Sequence, residues 1–158
     1  MTRIRFWGFA AVVLISGGGL WQVQSQPAKP KFSTRMEPVA ETKLLMEGIA
    51  DPNARGLAQL LADKPRDAEA WVFARGQALL LAELGNLLLL RPPKTRAAED
   101  AWMTYAAELR GHATTLARAA AAKDYLAARG ALAELANTCN RCHQTFRVAI
   151  RINPFAEE

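Results

Sequence analysis

The chain has 158 residues, of which 51% are hydrophobic and 22% are charged. This length suits one globular domain, and the composition excludes the disordered and fibrous classes. Two cysteines exclude a disulfide-stapled scaffold and a metal site built from four thiolates of one chain. The net charge of +5 includes Arg3 and Arg5, which lie in a leading segment without acidic residues, so 18 basic side chains remain against 15 acidic ones. That excess is too small to predict binding to nucleic acid.

The leading segment has the pattern of an export signal. After the two arginines, an uncharged apolar run extends from Phe6 to Trp21, and three consecutive glycines weaken its far end. Because this run is shorter than the ~20 residues of a spanning helix, we expect residues 1–25 to be a cleaved signal peptide, with an uncleaved membrane anchor as the alternative. Either alternative puts the rest of the chain in the periplasm, soluble or tethered to the membrane. Residues 26–36, with two prolines among basic side chains, predict a flexible linker.

From Glu37 onward the sequence is rich in Ala and Leu, which predicts helices throughout. The first helix is expected to begin near Pro38 and to run through Leu61. Its helical spacing puts three apolar side chains on one face: Val39, Met46 and Ile49. The pair Asp51-Pro52 has the character of an N-cap and a first-turn proline, so a break is predicted there.

A second helix is expected to begin after Asp67 as its N-cap and to end before Arg91-Pro92-Pro93. Its side chains are apolar almost all round from Trp71 to Leu90. A narrow polar stripe interrupts them: Arg75, Glu83 and Asn86. This pattern predicts a bundle-core helix that is buried on more than one side and that is suited to meet a second subunit in a homodimer.

The third and fourth helices show apolar residues at alternating steps of three and four, which is typical of bundle seams. The third is expected from about Arg96 to Ala122, with this seam: Trp102, Tyr105, Leu109, His112 and Leu116. The fourth starts after Asp124, with this seam: Leu132, Leu135, Cys139, Cys142, Phe146 and Ile150. Four helices with short connections predict an all-α, antiparallel up-down-up-down four-helix bundle.

The segment from Cys139 to His143 reads C-x-x-C-H, the pattern of covalent c-type haem attachment. Two thiols separated by two residues can each add to one vinyl group of the porphyrin, and the adjoining imidazole then lies beneath the iron. On a helix, Cys139 and His143 share one face one turn apart, with Cys142 beside them. The motif therefore predicts one haem c, attached through the two cysteines and ligated by His143.

Two other chemistries use the same residue types. A redox disulfide between the cysteines is disfavoured, because such pairs occur in a βαβ setting that this helical pattern lacks. A zinc site made of Cys139, Cys142, His143 and His112 remains open, although two adjacent ligands make a tetrahedral arrangement awkward. No phosphate-binding loop and no hydrolytic triad pattern is found, so no catalytic residue and no enzymatic activity are predicted.

The chain resembles the cytochrome c prime family, which comprises monohaem c-type cytochromes built as four-helix bundles with the attachment motif near the C-terminus. The resemblance covers about Pro38 to Arg151, and its specific part is CNRCHQTFR, which ends at Arg147. It implies that residues 37–152 form the haem domain and that residues 153–158 are a tail. The family's distal haem position falls in LLMEGI, at Met46, and Thr42 stands where many members have an arginine.

The resemblance implies that Met46 is the second axial ligand of the iron, and Arg147 is a candidate to contact the proximal pocket or a haem propionate. With His/Met ligation the protein is expected to carry single electrons to and from redox partner proteins. With an apolar distal residue such as Leu45, the alternative is a five-coordinate haem protein that binds small gases such as nitric oxide. Large aromatic residues are expected to line the haem pocket and the core: Trp71, Trp102, Tyr105 and Phe146.

Overall fold

The computed structural model describes residues 35–155, which belong to one compact unit beginning at Arg35. The predicted signal or anchor at 1–25 and nearly all of the predicted linker lie outside the described residues. The helices are α1 (Thr42–Leu45), a π-helix (Met46–Ala50), α2 (Asp51–Leu60), α3 (Ala68–Leu89), α4 (Arg96–Ala121) and α5 (Tyr125–Thr145). Residues 35–155 contain no β-strand. The predicted all-helical class is confirmed.

α1, the π-helix and α2 follow one another without interruption over residues 42–60, and together they are called the first segment. The first segment, α3, α4 and α5 are the four helices of an antiparallel bundle. The first segment packs on α3, α3 on α4, and α4 on α5. Arg91, after α3, donates from Nε to the carbonyl oxygen of Ala40, before α1, at 3.0 Å. Near the start of α4, Tyr105 hydrogen-bonds to Thr145, the last residue of α5, at 3.0 Å. The up-down-up-down arrangement is therefore confirmed.

The predicted break at Asp51-Pro52 is wrong, because the first segment is continuous there. Asp51 does not cap a helix; its carboxylate forms an ion pair with Arg55. A proline inside a helix lacks an N–H and conflicts with the carbonyl four residues earlier. The chain accommodates Pro52 by widening into the preceding π-helix, in which the N–H of Asp51 donates to the carbonyl of Met46.

Of the three residues predicted on the inner face of the first segment, two are confirmed and one is wrong. Met46 and Ile49 are partly buried against the core, as predicted. Val39 precedes the helix and is 96% exposed, because helical bonding begins only at Thr42 and no regular turn aims the Val39 side chain inward.

Helix α3 begins and ends where the sequence predicts. The carboxylate of Asp67 accepts from the N–H of Ala70 at 2.7 Å, and the helix stops before Arg91-Pro92-Pro93. It is also the one helix within residues 35–155 that is long and apolar enough to cross a membrane. Since α3 packs against both α2 and α4, it is buried on more than one side, as predicted. One face nevertheless stays exposed: Val72, Phe73, Leu79 and Leu80.

The seams of α4 and α5 largely follow the predicted spacing. The core of the bundle includes fully buried leucines from both helices: Leu116, Leu132 and Leu135. Asp124 caps α5 by accepting from the N–H of Ala127 at 3.0 Å, as predicted. Ile150 is wrong as a seam residue, because α5 ends at Thr145 and the Ile150 side chain is 62% exposed.

Candidate haem-binding site

The three chemically distinctive side chains of the motif lie on the last two turns of α5. Cys139, Cys142 and His143 are all half-buried, and Cys139 packs against the core. Burial raises the pKa of the Cys139 thiol to about 12, with a contribution from neighbouring Cys142, and raises the pKa of the Cys142 thiol to about 11. Burial thus keeps both thiols in the protonated form at neutral pH.

The His143 ring is oriented by a bond to the chain beyond α5. Its Nδ1 atom lies 3.0 Å from the carbonyl oxygen of Ile150. Since a carbonyl can only accept, Nδ1 carries the proton and Nε2 keeps its lone pair for a ligand. Metal-binding histidines characteristically engage their second nitrogen in this way. The ring is therefore prepared to bind through Nε2.

Arg147 closes α5 through its backbone. Its φ is 57°, its N–H donates to the carbonyl of Gln144 at 3.2 Å, and the next N–H, of Val148, donates to the carbonyl of His143 at 2.8 Å. This is a Schellman closure with a non-glycine residue in the left-handed position. The Arg147 side chain is exposed. A contact between Arg147 and a haem propionate stays a prediction.

Aromatic side chains cover the same end of the bundle. Trp102 and Phe146 meet edge to face, with ring centroids 5.3 Å apart, and the Trp102 Nε1 donates to the carbonyl of Leu88 at 2.8 Å. The guanidinium carbon of Arg141 lies over the Tyr105 ring, 5.6 Å from the ring centroid. These contacts join the end of α3, the start of α4 and the end of α5. Trp71 is buried at the start of α3, so it packs in the core at the opposite end.

Met46 lies at about the same level along the bundle as the motif. Ala40 is hydrogen-bonded to Arg91, just after α3, and Gly56 lies against Gln77, in the middle of α3. Because Met46 lies between Ala40 and Gly56 along the chain, it lies beside the last turns of α3. In that part of α3, Asn86 accepts a hydrogen bond from Arg110 of α4. Nearby on α4, Glu108 forms an ion pair with Arg141, which lies within the motif on α5. These contacts link the level of Met46 to the level of the motif. The first segment and α5 are not among the closely packed helix pairs, so their backbones lie further apart than those of the other neighbours.

His112 is separate from this group. It is a half-buried residue of α4, one turn beyond Glu108 and away from the end where Tyr105 meets Thr145. Within residues 35–155, no three His, Cys, Asp or Glu side chains are close enough to hold a metal ion together. The zinc alternative therefore lacks a donor set in the described part of the chain.

Two contacts around the motif were not predictable from the sequence. Ile150 supplies the carbonyl that accepts from His143, and Asn140 bonds to the backbone of Ile152 through both atoms of its amide. The carbonyl bond depends on the chain reversing after α5, and the usual sequence signal for such a reversal, a glycine, is missing. The variable positions inside C-x-x-C-H gave no signal for Asn140 either.

An antiparallel four-helix bundle with C-x-x-C-H on its last helix defines the class of bundle-type c haem proteins. The family model described as Cytochrome C' matches residues 92–147, which include α4, α5 and the motif. This match, which covers about a third of the chain, supports the resemblance to the cytochrome c prime family. Its members carry covalently bound haem c, act as electron carriers or gas-binding proteins, and are typically extracytoplasmic. None of the curated proteins and none of the solved structures is significantly similar to the chain.

Proposed function

We propose that this chain is a periplasmic cytochrome that carries single electrons on one haem c. In this proposal Cys139 and Cys142 would hold the haem through thioethers, and His143 Nε2 and Met46 would be the ligands of its iron. The observation that carries this proposal is the engagement of His143 Nδ1 by a backbone carbonyl beside two half-buried cysteines of the same helix. When bound, the haem supplies an iron that exchanges one electron between its ferrous and ferric states.

The residues present fit a haem in their donor chemistry. Half-buried thiols on one face of α5 favour attachment at a single edge of the ring. The first segment and α5 are not among the closely packed helix pairs. The edge-to-face pair of Trp102 and Phe146 supplies an apolar surface at the same end of the bundle as the motif.

Met46 as the second ligand is supported by its level along the bundle and by its partial burial. It lies near the level of Cys142 and His143, and it packs against the core from the first segment. A thioether ligand favours the ferrous state and keeps the coordination of the iron alike in both oxidation states. That combination suits electron transfer to redox partner proteins.

A gas-binding protein is the second candidate function, and one observation favours it. Leu45, next to Met46, is only 8% exposed, so it is the better buried of the two side chains. If Leu45 faces the iron, the haem is five-coordinate and its open side accepts small gases such as nitric oxide. The family contains both gas-binding proteins and electron carriers.

The mass of the mature chain tests the attachment. Purified from a host that assembles c-type cytochromes, the protein is expected to weigh one haem more than its polypeptide, and to start after Ser25 if the signal is cleaved. A Cys139→Ala, Cys142→Ala double variant is the control and should lose the added mass. A colourless parent protein with two thiols open to alkylation would overturn the proposal. A full-length N-terminus would instead support the membrane tether.

Spectra then separate the two functions. Low-spin bands in the ferric and ferrous states support His/Met ligation and electron transfer. High-spin bands in both states, with binding of nitric oxide by the ferrous protein, support the gas-binding alternative.

We also propose that the chain forms a homodimer through α3. Val72, Phe73 and Leu80 are 70%, 58% and 52% exposed along one face of that helix. Apolar side chains at neighbouring positions of one helix are typical of a surface that a partner covers.

A further inference from the structure

The eight residues after Arg147, here called the strap (residues 148–155), turn back along α5. The closing turn at Arg147 reverses the chain. At the end of the strap, the centroid of the Phe155 ring lies 3.9 Å from the guanidinium carbon of Arg129, in the first half of α5. Phe155 is partly buried against the core. The strap is thus fixed at its far end by an apolar and cation–π contact.

Asn140 fixes the middle of the strap. Its Nδ2 donates to the carbonyl of Ile152 at 2.8 Å, and its Oδ1 accepts from the N–H of Ile152 at 2.8 Å. Asn140 is half-buried, so these bonds are partly shielded from competition with water. Two bonds from one amide to one residue set both the position and the orientation of the strap at Ile152.

The carbonyl that accepts from His143 lies two residues before this fixed point. Because Ile152 is held by Asn140 and the chain is held at Val148 by the closing turn, Ile150 lies between two restrained positions. Its carbonyl oxygen is therefore presented to Nδ1 of His143 by the strap and not by α5 itself. Without the bonds at Ile152, only the turn would restrain this carbonyl.

From these contacts we infer that Asn140 is a positioning residue for His143. It holds the strap so that the Ile150 carbonyl accepts from Nδ1, which fixes the tautomer and the plane of the ring. A proton shared with a carbonyl at Nδ1 makes Nε2 a stronger electron donor, and a stronger donor favours ferric iron. This inference rests on the proposed function, in which Nε2 is the ligand.

The test compares Asn140→Ala and Asn140→Asp with the parent holoprotein. Asn140→Ala loses both bonds to Ile152, whereas Asn140→Asp keeps an acceptor for the N–H and loses the donor. We expect the reduction potential to rise in Asn140→Ala. In Asn140→Asp the added carboxylate itself favours ferric iron, so this variant is judged by the iron–histidine stretching frequency, which should fall less than in Asn140→Ala. In a Met46→Leu background, where only His143 would ligate, we expect a lower iron–histidine stretching frequency in the ferrous state.

Asn137→Ala is the matched control, because Asn137 is an exposed asparagine on the same helix, one turn earlier. It should leave the potential and the stretching frequency unchanged. Thermal unfolding of each protein separates positioning from stability. Asn140 variants that are less stable but keep the parent's potential and frequency would overturn the inference, and if Asn140→Ala does not accumulate, Asn140→Asp decides. Absence of covalent haem from the parent would instead overturn the proposed function.

Discussion

The N–H of Asp51 donates to the carbonyl oxygen of Met46, five residues earlier, where an α-helix would use the residue four earlier. Pro52 follows directly, so the π-helix resolves the conflict between a proline ring and the preceding turn. A neighbouring carbonyl, that of Ile49, accepts from the side chain of Asn53 at 2.7 Å. The geometry around the proposed distal ligand is therefore set by a proline that is distant from the motif in sequence.

Pro52→Ala is expected to return the first segment to α-helical bonding. It restores an N–H and removes the ring, which should raise the free energy of unfolding by about 1 kcal/mol or more. Loss of the wider π-helical turn should also rotate Met46 relative to α2. Because Met46 is the proposed second ligand, this rotation should lower the low-spin fraction of the haem. Visible spectra and amide hydrogen exchange over residues 46–53 measure these changes. Pro65→Ala, outside the helices, is the control; equal spectra and exchange in parent and Pro52→Ala would contradict the prediction.

Met46→Ala should convert a low-spin spectrum to a high-spin one, because removal of the thioether opens the sixth position of the iron. The measurement is the visible spectrum in both oxidation states. Met103→Ala is the matched control, since Met103 lies on α4 and is 38% exposed. An unchanged spectrum in Met46→Ala would exclude this residue as a ligand and would leave the buried Leu45 as the distal residue.

Features that depend on neighbouring residues were predictable from the sequence. Asp67 and Asp124 were predicted as N-caps, and both accept from the N–H three residues later, because a cap needs only a local carboxylate. The Asp51 cap was wrong for a related reason: the chain relieved the strain at Pro52 by a π-helix, which no local pattern distinguishes from a break. The partner of His143 was beyond prediction, since it depends on a reversal at Arg147 and on bonds across twelve residues to Asn140.

Gly85→Ala should destabilise the bundle although alanine favours helices. A Cβ at position 85 would lie 2.9 Å from the carbonyl oxygen of Ala106 and 3.0 Å from the backbone nitrogen of Arg110. Because backbone atoms cannot yield as a flexible side chain does, α3 and α4 must separate, and we expect a loss of about 1–3 kcal/mol in the free energy of unfolding. Urea denaturation of the holoprotein measures this loss.

Gly111→Ala is the matched control for Gly85→Ala. Gly111 lies inside α4, and a Cβ there would meet nothing within 4 Å. The same substitution should therefore stabilise the protein by about 0.5–1 kcal/mol. Equal effects at the two positions would show that the close approach of α3 and α4 does not limit packing.

Leu80→Glu tests the proposed dimer surface. Phe73 and Leu80 lie seven residues apart on the exposed face of α3, so a partner helix that covers one would also cover the other. A carboxylate at position 80 would be buried without a partner in a dimer, whereas in a monomer it would stay in water. We therefore expect a concentration-dependent dimer in the parent and a monomer in Leu80→Glu, with little change in the monomer's stability.

Leu126→Glu, at a position on α5 that is 80% exposed, is the control and should leave the dimer intact. Sedimentation at several concentrations measures this, and a parent that stays monomeric throughout would refute the α3 interface.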